Sequence, residues 1–410
     1  MARTQVQDIR FRAMIALFFI LNPMKATLCL LLSLLFFACS SEPDPDPAAA
    51  PDVSNDLDTE NRWSVEKANA YADARPQPLG ANYINRGAIN QLEMWQAETF
   101  NPTQIDEELG WAAAIGMNSM RVYLHNLVWE QDSTKFLERI EQYLDIAEKH
   151  GMSTSFVLFD AVWNPVAELG TQPAPLPRVH NSGWVQSPQS RQLMNGDRYF
   201  RSGRNYVQGI LRHFKDDDRI YMWDLYNEPD NDNIGKFSNE PKNKIDFAYV
   251  LLVKSFAWAR EINPSQPLSA GVWRGELFNR IDEDIPLGRF NKFQLEHSDL
   301  ISYHSYRNAA HHTKTITRLQ QYGRPLVCTE YVARTHGSTF EAILPLIAEH
   351  KVGAYNWGLV AGKTNTIYPW ASWDSTFVAE PHLWHHDVFR GDGTPYRAEE
   401  IALIRESALY

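Results

Sequence analysis

Residues 63 to 410 predict an α/β fold in which eight strand–helix units close into a (β/α)8 barrel. Three observations carry that prediction. Short apolar runs alternate with amphipathic segments of helical period from Trp63 onward, which argues for parallel βαβ units. Eight such runs can be distinguished, and no internal sequence repeat accompanies them. Polar residues stand at the C-terminal ends of the runs, where a barrel carries its chemistry: Asn82, Arg121 and His125, Asp160, Asn227 and Glu228, His304 and Tyr306, Glu330, and Trp357. An open doubly wound sheet is the alternative. It calls for a Gly-rich phosphate turn after the first strand, and neither GxGxxG nor a P-loop occurs.

The elements follow in order. Pro78 to Ile84 is the first strand candidate, and Thr103 is expected to cap the helix after it. Met117 to His125 is the second strand. Ser133 opens an amphipathic helix with Phe136, Ile140, Tyr143, Leu144 and Ala147 on one face and Gly151 as its stop. Met152 to Asp160 is the third strand, followed by a long loop, Ala161 to Gln189, rich in Pro, Trp and Gly. Helix Asp197 to Phe214 leads into the fourth strand, an apolar run from Ile220 to Leu225 that ends at Glu228, where Pro229 breaks the pattern. Helix Lys244 to Ile262, strand Pro267 to Trp273, an irregular segment and strand Asp299 to Tyr306 come next. Helix Lys314 to Tyr322 precedes the seventh strand, Arg324 to Glu330. Helix Phe340 to His350, strand Gly353 to Val360 and a final helix near Arg397 to Glu406 close the chain.

The formal net charge of −11 argues against a nucleic-acid partner, because phosphate binding needs a basic surface. Residues 1 to 39 read as a signal peptide, with Met24-Lys25 as the natural start and a run from Ala26 to Ala38 too short for a membrane span. FFACSS resembles a bacterial lipoprotein box. It implies a lipid anchor at Cys39 and, from Ser40, export to the outer membrane on its periplasmic or cell-surface face, with plain secretion as the alternative. Residues 40 to 62, rich in Pro and Asp, read as a disordered tether. Cys328 reads as a buried free thiol, so no disulfide framework is available to the domain.

The chemistry centres on RIYMWDLYNEPD (219–230) and RPLVCTE (324–330). Each is an apolar run closed by a glutamate. Two carboxylates at the exits of two buried strands are what glycoside hydrolysis needs, one as proton donor and one as nucleophile. LYNEP and the later TE resemble the acid/base and nucleophile motifs of the clan of retaining (β/α)8 glycosidases that includes glycoside hydrolase family 5, the cellulase- and mannanase-type enzymes. The resemblance runs over the whole of roughly 65 to 410. It implies that Glu228 is the acid/base and Glu330 the nucleophile. It implies that Asn227 bonds the 2-hydroxyl of the sugar being cleaved, that His304 and Tyr306 form the family's His-X-Tyr with the Tyr touching the nucleophile, that Arg121 supports the nucleophile, and that Trp357 floors the subsite. Retention requires the carboxyls roughly 5–5.5 Å apart and inversion about 6.5–9.5 Å; the shorter distance is expected.

The expected activity is hydrolysis of a β-linked polysaccharide or oligosaccharide of β-mannan, β-glucan or xylan type by double displacement. A carbohydrate-binding lipoprotein that has lost catalysis is the alternative. Loops 181–190 and 365–375 bring Trp184, Trp370 and Trp373, and long aromatic loops favour an open cleft and endo action on a mannan-like chain. His311-His312 and His385-His386 lack a ligating pattern, so no metal is expected, and no cofactor. His125 is a rim or core histidine as readily as a site residue, and Asp160 reads as structural. No G-x-S-x-G occurs, so esterase chemistry has no support. The domain is expected to act as a monomer.

Overall fold

The computed structural model describes residues 50–51, 61–281, 283 and 285–408. The leader and Cys39 lie outside the described residues, as does most of the segment read as a tether. Of that segment, Ala50 and Pro51 are half-buried, and Ala50 packs against the core. Arg62 donates to the carbonyls of Ser298 and Leu295, and the amide of the buried Trp63 donates to Asp299 Oδ1 at 2.9 Å. These bonds tie the start of the domain to the turn that leads into its sixth strand.

Eight strands form one parallel sheet: β1 (Leu79–Tyr83), β2 (Ser119–Tyr123), β3 (Ser153–Asp160), β4 (Ile220–Asn227), β5 (Leu268–Ser269), β6 (Ile301–His304), β7 (Leu326–Tyr331) and β8 (Gly353–Trp357). Their order is β5-β4-β3-β2-β1-β8-β7-β6. The two ends meet where Val272 pairs with Tyr303 as a parallel bridge and His304 N donates to Val272 O at 3.0 Å. The sheet thus curls into a (β/α)8 barrel, a TIM barrel. Register brings the chemistry into line: Asn82 lies beside Arg121 and Trp357, Asp160 beside Asn227, and His304 beside Glu330.

The helix Ser133–Lys149 illustrates the packing. The Asp132 carboxylate accepts from Lys135 N and so satisfies a first-turn amide. Phe136, Ile140, Tyr143, Leu144 and Ala147 recur at three- and four-residue spacing, and all are fully buried. Gly151, at φ +69°, ends the helix in a conformation that costs glycine least. Truncating Ile140 to Ala should cost about 2–5 kcal/mol by denaturant unfolding, since the site is enclosed. A loss below about 0.5 kcal/mol would mean that this face is not packed as described.

Helices Lys244–Ile262 and Phe340–His350 have the bounds expected. Four expectations need correction. Helix Pro102–Ala114, the second after β1, is capped by Asn101 rather than Thr103: the Asn101 side chain accepts from Gln104 N. The helix expected from Lys314 begins at Ala309, because Asn308 accepts from His311 N. The fifth strand shrinks to Leu268–Ser269: the chain pairs with β4 over two residues, leaves it, and joins β6 at Val272. The segment read as irregular contains helices Glu276–Asn279 and Arg289–His297.

Candidate active site

Glu228 follows the last residue of β4, and Glu330 stands one residue before the end of β7. Both are buried, at 7% and 4% exposure. Glu228 adopts φ +45°, a left-handed backbone that costs a non-glycine residue of order 1–3 kcal/mol and is held only where the surroundings fix it. Two contacts fix it here. Asn231 Nδ2 donates to Glu228 Oε2 at 2.7 Å, and His304 Nδ1 lies 2.8 Å from Glu228 Oε1. Val332, just past Glu330, is β-branched and also has positive φ, +68°, so both strands leave the barrel through strained backbone.

Three donors converge on Glu330. Arg121 Nη1 and the Tyr123 hydroxyl each donate to Oε1 at 2.9 Å, and the Tyr306 hydroxyl donates to Oε2 at 2.8 Å. Burial, then the charge of Glu330, holds the Tyr306 hydroxyl well above the phenol range. Burial does the same for Tyr123, with Arg121 opposing, so both stay protonated donors.

Arg121 is fully buried and its fork is fully used. Nη2 and Nε reach Asp224 Oδ2 at 2.7 and 3.1 Å, Nη2 reaches Asn227 Oδ1 at 2.7 Å, and Nη1 reaches Asn82 Oδ1 at 2.7 Å. The guanidinium thereby orients Asn227, whose Nδ2 donates to Asp160 Oδ1 at 2.9 Å. Asp160 also accepts from Trp184 Nε1, Gln91 Nε2 and the amide of Val162. It fixes which way the Asn227 amide faces, so it positions another residue rather than meeting a ligand itself.

His304 Nδ1 also lies 3.4 Å from Glu330 Oε2, between the two carboxylates. Burial lowers its pKa, but the charge of Glu330 and the hydrogen bond with Glu228 outweigh burial and raise it above the ordinary value. One oxygen of each glutamate and one His304 nitrogen lie within 4.8 Å of one another. This is the group, among the described residues, whose ligand atoms converge closely enough to hold a cation. The carboxylate oxygens and His304 Nδ1 already have protein partners, while His304 Nε2 is buried without one.

Trp357, at the end of β8, is half-buried, and its ring meets those of Tyr123 and Trp184 at 5.9 and 5.8 Å between centroids. The seven residues singled out from the sequence therefore gather at one end of the barrel. Tyr123, Asn231 and Asp224 were not singled out. Tyr123 follows Arg121 by two residues and so shares its strand face, a signal that was there to be read. Asp224 is an acid in an apolar run and needs a buried partner.

His125 lies outside this group. Its Nδ1 accepts from Leu127 N and caps helix Asn126–Gln131, while Nε2 faces Gln186 O at 3.1 Å. Burial pushes it down to about 3. A histidine whose folded pKa lies below its unfolded value, near 6.5, contributes stability above pH 6.5 that is lost as pH falls toward the folded pKa. His125→Asn keeps a capping acceptor and removes the titration. The stability of the native protein relative to this variant should fall by about 1.4 kcal/mol per pH unit below 6.5, measured by denaturant unfolding at pH 7 and pH 5. A pH-independent difference would contradict the neutral assignment. The His pairs have partners as well: His311 meets Phe278 O, His312 the Tyr303 hydroxyl, His385 the Thr335 hydroxyl and His386 the Val332 carbonyl.

Fold and site together define a class: a (β/α)8 barrel with two buried glutamates at the C-terminal ends of β4 and β7, joined by one histidine and one arginine network. No family model and no curated protein matches the chain. Solved structures share its fold. A variant of a GH5_18 protein from Streptomyces cattleya, in complex with Manβ1-4GlcNAc, has a TM-score of 0.52 and 13% identity over 82% of this chain and 80% of that one. The endo-β-1,4-mannanase from Thermotoga petrophila gives 0.52 and 14% over 83% and 77%. An exo-β-1,4-mannosidase from an Opitutaceae bacterium gives 0.53 and 18% over 81% and 59%. These three structures share the barrel with this chain, with sequences far from its own.

Proposed function

We propose that the chain is a retaining β-glycoside hydrolase acting on a β-linked glycan of the mannan type. The observation that carries this reading is the spacing of Glu228 and Glu330: their nearer oxygens lie within 4.8 Å, with His304 between them. That closeness supports retention, which sets the carboxyls roughly 5–5.5 Å apart, over inversion, which sets them about 6.5–9.5 Å apart to admit a water.

In the first step a Glu330 oxygen attacks the anomeric carbon while Glu228 gives its proton to the glycosidic oxygen, and the aglycone leaves as an alcohol. In the second step Glu228 takes a proton from water, whose oxygen attacks the same carbon and frees Glu330. Tyr123, Tyr306 and Arg121 hold Glu330 in place through both steps, and Asn227 is set to meet the 2-hydroxyl. The choice of mannan over glucan or xylan rests on the structural neighbours: a β-1,4-mannanase, an exo-β-1,4-mannosidase and a barrel that holds Manβ1-4GlcNAc. Incubating residues 60 to 410 with β-mannan, xylan and β-glucans, beside the Glu330→Gln variant, tests it. Reducing ends should appear from mannan with the native domain only. Equal release by the variant would refute the catalytic assignment, and release from another glycan would move the substrate.

We further propose export with a lipid on Cys39, supported by the apolar leader that ends at FFACSS. No helix among the described residues is long and apolar enough to cross a membrane. Labelled palmitate should enter the native protein and not Cys39→Ser; label in both, or in neither, refutes the anchor.

A further inference from the structure

The loops above the barrel join in a way that closes one side of the site. In the sheet order β3 and β8 are separated by β2 and β1. Yet the loop after β3, residues 161–189, is locked to the loop after β8, residues 358–397. Asn181 N donates to Thr364 O at 2.8 Å, His180 N to Ser372 Oγ at 2.9 Å, and Trp373 Nε1 to His180 O at 2.9 Å. Trp163 stacks on Trp373 with ring centroids 5.1 Å apart at 14°. The joined loops therefore arch over the ends of β1 and β2.

Beneath the arch is a narrow slot that includes Trp184, Trp357, Asn181, Thr366 and Asp387 in its lining and adjoins Asn82 and Tyr123. Its volume is about 20 Å³, room for one hydroxyl-sized group and not for a second sugar ring. Asn181 and Asp387 are each 1% exposed, and Asn181 Oδ1 and Asp387 Oδ2 are buried without a hydrogen-bond partner. Two buried acceptors left unpaired are costly, and a ligand that brings hydroxyl donors satisfies them. Burial pushes Asp387 up to about 7, against the Thr366 hydroxyl and Arg334.

The slot lies on the side of the sugar that faces the nucleophile, since Tyr123 and, through Arg121, Asn82 are the groups around Glu330. The leaving group departs past Glu228, toward Asp230, Trp273 and Arg274 at the ends of β4 and β5, on the opposite side of the barrel.

We infer that the chain removes one sugar at a time from the non-reducing end, with Asp387 binding a hydroxyl of the terminal sugar in the slot. The inference rests on the glycosidase reading and replaces the open cleft expected from the aromatic loops. A chain continuing beyond the terminal sugar would run into the arch. Asp387 thus selects substrates by their free end.

The test uses a β-1,4-linked manno-hexaose and the same hexaose blocked at its non-reducing end by a 4,6-O-benzylidene group, with products separated at early times. The inference expects monosaccharide and pentaose from the free hexaose and at least a hundredfold slower cleavage of the blocked one. It expects kcat/KM on the free hexaose to fall roughly 10- to 100-fold in Asp387→Ala, with Asp387→Asn keeping more activity than Ala because it retains an acceptor oxygen. Early di-, tri- and tetraose, or equal cleavage of the blocked chain, would overturn the inference and leave the glycosidase reading intact. No hydrolysis of these chains or of the matching gluco- and xylo-oligosaccharides would overturn both.

Discussion

Replacing Glu330 by glutamine should lower kcat by on the order of 10⁴-fold or more, about 5.5 kcal/mol of transition-state stabilisation. Glutamine fills the same volume, and its one carbonyl oxygen can still accept from Arg121 and Tyr123, which share Oε1, while the amide nitrogen in the place of Oε2 donates to the Tyr306 hydroxyl. What it lacks is the charge and the nucleophilic oxygen that form the covalent intermediate. Folding should survive, because the Tyr306 hydroxyl can turn to accept from the new amide, and Arg121, although it loses one of its two anionic partners, keeps Asp224. Substrate binding should survive as well. A variant that turns over within about tenfold of the native rate would remove Glu330 from the chemistry.

Replacing Glu228 by alanine should have the second largest effect, and its size should depend on the leaving group. A sugar alcohol leaves poorly without a proton, so kcat on oligosaccharides should drop about 10²–10⁴-fold. A nitrophenyl glycoside needs no such proton, so its first step should be nearly unchanged. The second step should then limit the rate, because water has lost its base, and a burst of nitrophenol should appear. Azide, a nucleophile that needs no base, should restore turnover and give a β-glycosyl azide. Equal losses on both substrates, with no rescue by azide, would mean that Glu228 only supports the fold. Its strained backbone and its bonds to Asn231 and His304 would then be structural.

Much of this architecture is legible in the chain because the signals are local. Helix Ser133–Lys149 announces itself by a complete apolar stripe, and β4 and β7 by apolar runs that end in a glutamate. Cys328 is buried and free, as its place in such a run implies. What was not legible depends on partners far along the sequence. The cap at Asn308 stands before two adjacent histidines, His311 and His312, which interrupt the apolar stripe in the first turn of the helix. The fifth strand fails as a ladder because its partner changes from β4 to β6 within a few residues, which no local pattern records. Asn231 reaches Glu228 only because the backbone turns at positive φ. The arch over β1 and β2 comes from contacts between residues nearly two hundred positions apart, such as His180 with Ser372 and Trp373. Loop composition gave its aromatic content without its closure.

The central claim is double displacement at two close glutamates. Proton NMR of the first product formed from a β-glycoside, recorded before the free sugar equilibrates in water, tests it most directly. The account predicts that the β-anomer appears first and the α-anomer grows in only by mutarotation. An α-anomer as the first product would mean single displacement with inversion, and would contradict the roles given to Glu228 and Glu330.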